Sequence, residues 1–396
     1  MASFYLTIPP TANRISHIWK TNIQTTIKGV EKRSMLYTWP RVTIYNEFIA
    51  DSTERINYLK RNIFRYGDVV WGIPVWMDKT LLTAQANSGQ KTLNVGETAY
   101  RHFYAGRQCI IINPSNHLSY EVGTIVTVNA TSLVLLVNLT STWAGGSLVF
   151  PLYDCRINVE QELGAEIMVP QTFQVLATEA YESVRLFTYT APSSGADTYE
   201  GLDLFLHKMM PSAAYKYKRQ YDLAQYLGIG YGYTKFDSGE SAMGFRAGLI
   251  MEDREDIWTL FDFFDSKQGR LEKFWVPTWS KDIVVDEAFL DSDTVLNIEN
   301  MEYNTYYLTD DVIGKYIYIQ FPDRSYACRK ILDASTGTIT LDSAIGVTVL
   351  ASELPELLIS FLMLARFDID ELEIEYLKES IGQADLSFAG LVGEAV

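Results

Sequence analysis

Four histidines, His17, His102, His117 and His207, are scattered through the chain, and none stands in an HxH, HExxH or His-Cys spacing that would give a metal its ligands. The densest acidic cluster is Asp368, Asp370, Glu371, Glu373 and Glu375, with Phe367, Ile369, Leu372 and Ile374 interleaved. Two such carboxylates could hydrolyse a glycoside if one were held protonated and the other ionised. Near-alternation of acidic and apolar residues is also what a half-solvated strand shows, and that reading ranks first, ahead of a cation site and of catalysis. Asp291-Ser-Asp293 and Asp310-Asp311 lack the sixth-position Gly and the closing Glu of an EF-hand, so no calcium site is expected. There is no GxSxG elbow and no GxxxxGK[ST] phosphate loop. Gly228-Ile-Gly230-Tyr-Gly232 has tyrosine-rich, strand-like flanks and reads as a turn or bulge. These residues assign no catalytic, cofactor-binding or metal site, and the expectation is a protein that is not an enzyme and carries no cofactor.

Trp71, Trp76, Trp275 and Trp279 could stack on sugars, but a Trp beside a Pro at the end of a helix is better placed to pack a joint in the core. Their spacing carries a second message. Trp71-Gly-Ile-Pro74-Val-Trp76 returns as Trp275-Val-Pro277-Thr-Trp279, and 277 − 74 and 279 − 76 both give 203. Leu93-Asn94-Val95 meets Leu296-Asn297-Ile298 at the same offset, Gly106 meets Gly314 at 208, and Arg156 meets Arg366 at 210. A drift this small fits short loop insertions in a duplicated chain whose copies each have their own core.

The elements around these residues are mostly short alternating runs bounded by Gly, Asn, Asp and Ser, which makes the chain mainly β, a β-rich α+β protein. Two helices are expected. Ile56, Leu59 and Ile63 make one apolar stripe over Thr53–Phe64, and Ile257, Phe261 and Phe264 make another over Asp253–Lys267. Asp51 with Glu54 and Asp253 with Asp256 are start signals, and Gly67 and Gly269 are stops. After each Pro-x-Trp comes a module of five or six short strands, about 80–155 and 283–366, read as a small β-barrel inserted in a larger β-domain. The repeats span 1–189 and 201–396, with a linker at 190–200 where Pro, Ser and Gly gather.

A net charge of −16 repels phosphate, and no run of Lys or Arg suggests a nucleic-acid groove. The start lacks a secretory signal, and the longest apolar stretch, Leu357–Ala365, is too short to span a membrane and reads as a buried strand. Cys109, Cys155 and Cys328 stand far apart and read as small buried hydrophobes.

Leu260-Phe-Asp-Phe-Phe264-Asp-Ser-Lys-Gln-Gly269-Arg270 followed by Phe274-Trp-Val-Pro-Thr-Trp279 resembles the distal tail proteins of long-tailed bacteriophages and gene transfer agents, as does the opening over residues 17–41. The resemblance implies two tail-tube-like β-sandwich domains, each with a flanking helix. It also implies a homo-oligomeric ring, hexamer or trimer, that joins the tail tube protein to hub or receptor-binding proteins around the DNA channel. Six copies are favoured over three because the halves differ between Phe64-Arg-Tyr-Gly67 and Phe264-Asp-Ser-Lys-Gln-Gly269. Such a protein is made in the host cytoplasm and resides in the virion. The alternatives are an envelope-polysaccharide or cell-wall hydrolase and a carbohydrate-binding receptor module.

Overall fold

Alternating apolar and polar residues place most of this chain in strands, because successive side chains on a strand face opposite ways. The computed structural model describes residues 4–26, 30–50, 52–53, 56–60, 69–158, 171–180, 192–207, 209, 214–224, 233–299, 302–307, 314–391 and 394. The first half holds β1 (Phe4–Tyr5), β2 (Ala12–Ile18), β3 (Thr21–Thr25), β4 (Glu31–Met35), β5 (Arg41–Ala50), β6 (Val70–Pro74), β7 (Thr80–Leu81), β8 (Thr92–Asn94), β9 (Gln108–Asn113), β10 (Asn116–Asn129), β11 (Ser132–Leu135), β12 (Leu148–Ile157) and β13 (Gln171–Glu179). The second holds β14 (Thr198–Tyr199), β15 (Leu202–Asp203), β16 (Ala214–Ala224), β17 (Tyr233–Met251), β18 (Phe274–Pro277), β19 (Val295–Asn297), β20 (Tyr316–Gln320), β21 (Tyr326–Ala334), β22 (Thr338–Leu341), β23 (Leu358–Phe367), β24 (Glu371–Lys378) and β25 (Ile381–Gly390). The protein is mainly β, with one large sheet network whose named strands pair antiparallel apart from β1 with β6; a single parallel bridge joins Leu204 to Trp275.

The long helix runs Arg254–Ser266. Asp253 caps it by accepting the Asp256 N–H at 2.8 Å, and Gln268 and Gly269 end it with φ of 53° and 64°. Ile257, Phe261 and Phe264, the stripe the spacing predicts, are buried, and Leu260 and Phe263 are buried with them. In the first half, residues 56–60 are helical and Leu59 is fully buried; Asp51, Glu54, Ile63, Phe64 and Gly67 lie outside the described residues.

The strands expected in the two modules are present, and they share partners and register. Leu93 stands opposite Leu133 in the β8–β11 pair, and Leu296 opposite Ile339 in β19–β22. β9 lies between β10 and β12, as β20 lies between β21 and β23. The register slips between Ile125 and Thr127 in β10 and at the matching point between Ile331 and Asp333 in β21. Pro74 faces Leu152 and Pro277 faces Leu362. In that register Trp71, opposite Cys155, corresponds to Phe274, opposite Ala365; Trp275 corresponds to Gly72. The offset of 203 thus holds along this strand pair, and Trp71 and Trp275 are not equivalent positions. The named strands close no barrel; single bridges, Leu82 with Val95 and Val285 with Ile298, stand at the open side.

The expectation of one main core per half is corrected. Ile15, Ile44, Phe48 and Trp71 share a continuous buried cluster with Phe245, Phe261, Phe264, Phe274 and Phe367. The cause is topological, because Ile15 on β2 faces Ile44 on β5 on one side and Ile374 on β24 on the other. A sheet that runs through the boundary gives the apolar layer no place to divide. The modules keep separate cores, around Leu93, Ile111 and Leu133 and around Leu296, Ile319 and Ile339. Residues 192–197 have no regular structure, but β14 pairs with β15, so the linker expected over 190–200 ends in a short hairpin; 190 and 191 lie outside the described residues.

Candidate functional site at the joint between the halves

Two histidines that sequence spacing leaves unrelated meet at the joint, with ring centroids 6.0 Å apart. His17 is on β2, between Val42 of β5 and Leu372 of β24, and its side chain meets the long helix. There its Nδ1 lies 2.8 Å from Asp265 Oδ2 and its ring stacks on Phe261 at 4.2 Å. Trp19 Nε1 donates to the other Asp265 oxygen at 2.9 Å. Asp78 ends the short turn that follows Pro74, and its Oδ2 lies 2.5 Å from His102 Nδ1 and accepts the His102 N–H at 2.8 Å. Arg254, the first residue of the long helix, donates to Asp78 Oδ1 at 2.9 Å and to the Met77 carbonyl, so the second half is tied to the first.

The electrostatics follow from burial and partners. Burial works against the Asp78 charge, but the attraction and hydrogen bonds of His102 together with Arg254 more than offset it and hold the carboxyl below its usual range. Burial pushes the His102 imidazole down, and Asp78 only partly opposes that. Asp78 is thus ionised against Arg254, and the network assigns His102 Nδ1–H as the donor to Asp78.

An Asp-His pair is the orienting part of a catalytic triad, which further needs a nucleophile at Nε2 and a way in for substrate. Nε2 of His17 and of His102 is buried without a hydrogen-bond partner, and the two residues are 6% and 1% exposed. Both rings are therefore almost wholly shielded from solvent. Among the described residues no group of three His, Cys, Asp or Glu could hold a metal ion. The cluster can fasten two elements through a buried charge pair, which loses several kcal/mol if one partner is removed. Further polar bonds extend the joint: Thr21 donates to Asp370 through its N–H at 3.0 Å and its Oγ1 at 2.9 Å, and Arg366 grips Glu31 at 2.7 and 2.8 Å.

The acidic cluster divides in two. On β24, Leu372, Ile374 and Tyr376 are buried while Glu371 and Glu373 are exposed, the alternation of a half-solvated strand. Asp368 and Asp370 lie in the turn before it, not on a strand, because Asp370 is drawn to Thr21 and to the Arg270 N–H. Asp370, Glu371, Glu373, Glu375 and Asp385 line an open groove of about 560 Å³. Asp291 and Asp293 hold an exposed turn, in which the Asp293 carboxylate accepts the Leu290 N–H; Asp310, Asp311 and the run Gly228–Gly232 lie outside the described residues. His207, which is half-buried, contacts Phe205 and Phe263 rather than the two buried histidines.

Trp71, Trp76 and Trp275 are buried, as are the three cysteines. Trp279 departs from the expectation of a core residue. It is half-buried, holds a left-handed φ of 57° and rests on Tyr318 at 5.4 Å, with its Nε1 buried and without a partner. No local signal in the sequence marks the His17–His102 approach, since each ring takes its place from a different layer. No helix among the described residues is long and apolar enough to cross a membrane. No family model matches the chain, and no curated protein matches it.

Proposed function

We propose that this is a structural protein of a bacteriophage tail tip, similar to distal tail proteins, that forms a ring joining the tail tube to hub or receptor-binding proteins. In this reading the chain is a tandem duplication of tube-like β-sandwich domains, each with a flanking helix and a small inserted barrel. The matching registers and the matching bulge of β10 and β21 support the duplication. So do the module cores, where Leu82, Leu93, Val95, Ile111, Leu133 and Leu135 answer to Val285, Leu296, Ile298, Ile319, Ile339 and Leu341. The Leu82–Val95 and Val285–Ile298 bridges would be the seams that close the barrels.

The observation that carries the ring reading is the edge-to-edge joint of β2 with β24. Two like units set side by side in one sheet are two steps of a rotation, and a repeated heterologous joint either closes or grows into a filament. Because both halves sit in one sheet, the joint favours three copies supplying six units in one ring over six copies with an inner and an outer ring. A mainly acidic surface suits a channel through which DNA slides without sticking. The protein is then synthesised in the host cytoplasm and has no catalytic role, with its sealed Asp-His pairs acting as fasteners.

Native mass measurement with negative-stain images of the purified protein and of the virion tests this. A closed ring is the expected result, and a strictly monomeric chain in the particle would overturn the reading. A second reading, a carbohydrate-binding receptor module of the tail, is favoured by one observation, the half-exposed Trp279 on Tyr318. Titrating envelope oligosaccharides against tryptophan fluorescence decides it, since quenching that disappears in Trp279→Ala would install that reading. Turnover of purified envelope would instead support a hydrolase.

A further inference from the structure

We infer that the groove beside the start of the long helix binds an Arg side chain carried by a partner protein. The inference does not depend on the ring reading, and it concerns a place that the joint between the halves does not use.

The groove holds about 380 Å³ and is lined by the end of β17, the first half of the long helix and residues from 194 to 207. Leu249 and Met251 are buried and close it underneath. Leu206 is half-buried and Ile250 is 49% exposed, so apolar surface stays open to the stem of a long side chain and to its neighbours. The groups that give this surface its polarity are Asp197, Asp256 and His207.

The charges indicate the occupant. Asp197 accepts the Tyr326 hydroxyl and Asp256 accepts the Glu252 N–H at 3.4 Å, but neither forms an ion pair among the described residues. The cations close by are already committed: Lys267, which lies over the Phe263 ring, is paired with Asp203, and Arg254 is paired with Asp78. Glu252, Asp253, Glu255 and Asp256 therefore outweigh the roughly half positive charge of the helix start. Burial, then the Asp253 charge, raises the Asp256 carboxyl, the mark of a negative field that nothing offsets.

His207 supplies an acceptor of a different kind. Its ring touches Phe205 and Phe263 but makes no hydrogen bond among the described residues. Burial pushes it down to about 4, so at neutral pH the imidazole is uncharged and one ring nitrogen is free to accept an N–H. A guanidinium has five N–H donors in a planar fork and is weakly hydrated, which suits two carboxylates and an imidazole beside apolar surface better than a compact ammonium does. An anion would meet the same carboxylates with the wrong sign.

The test titrates acetyl-Leu-Arg-Leu-amide, its citrulline counterpart and n-propylguanidine into the whole chain, reading calorimetry and the ring nitrogen shifts of the histidines. The Arg peptide should move the His207 resonance and bind about tenfold tighter than the neutral citrulline peptide. Asp197→Asn with Asp256→Asn should erase that preference at an unchanged melting temperature. Equal binding of the Arg and citrulline peptides, or a preference that survives in the double variant, overturns the cation site. Propylguanidine that binds as tightly as the Arg peptide overturns the protein-borne source. Should the double variant unfold, the wild type decides alone, since a His207 resonance that the Arg peptide leaves unmoved overturns the site.

Discussion

Ala86 and Trp143 bond each other's backbones in both directions, at 2.9 and 2.8 Å, and Phe289 and Val349 do the same at 3.2 and 3.0 Å with large and small side chains exchanged. All four side chains are buried in the module cores. Two modules with one backbone plan thus fill the same volume by opposite choices, as close packing demands.

Exchanging the sizes in the first module tests this. Ala86→Phe alone should overpack and cost about 1–3 kcal/mol, and Trp143→Val alone should leave a cavity and cost about 3 kcal/mol. The double variant should lose at least about 1 kcal/mol less than the two singles together. Denaturant unfolding of the four chains measures the coupling, and strict additivity would show that the two sites do not share a volume.

Arg254 is the charge that leaves Asp78 paired inside the joint. Arg254→Met should therefore destabilise the protein by about 3–5 kcal/mol. Because the core is shared, unfolding should remain a single transition rather than split by halves. A loss below about 1 kcal/mol, or two resolved transitions in wild type, would contradict the locking role.

Stability should fall on acidification from neutral pH. Burial pushes His207 down to about 4 and pushes His102 down as well. With folded values below the unfolded value of about 6.5, both groups contribute stability above that pH and lose it as the pH falls through the window. For His207 the loss between pH 7 and pH 4 is about 2–3 kcal/mol, so His207→Phe should flatten the profile by that amount. An unchanged slope in the variant would show that His207 is not the group responsible.

Asp262 works in the opposite sense. Burial, then the neighbouring Asp265 charge, pushes its carboxyl up to about 6, so its ionisation costs stability as the pH rises between about 4 and 6. Asp262→Asn should stabilise the protein by about 1–2 kcal/mol at pH 7 and by almost nothing at pH 3.5. Equal gains at both values would point to a packing effect.

The sequence by itself determined what local periodicity encodes. Alternation marked the module strands and the acidic face of β24, and the stripe from Ile257 to Phe264 between Asp253 and Gly269 marked the long helix. The offset of 203 between Pro74 and Pro277 marked their equivalent strand positions. The shared core was not legible, because no local pattern says that β2 will be flanked by β5 and by a strand more than 350 residues further on. The joint was hidden for the same reason: His17 meets Asp265 across 248 positions and Arg254 meets Asp78 across 176. A buried polar group is satisfied by whichever partner folding delivers to it, and only the packing of the helix against both halves decides which that is.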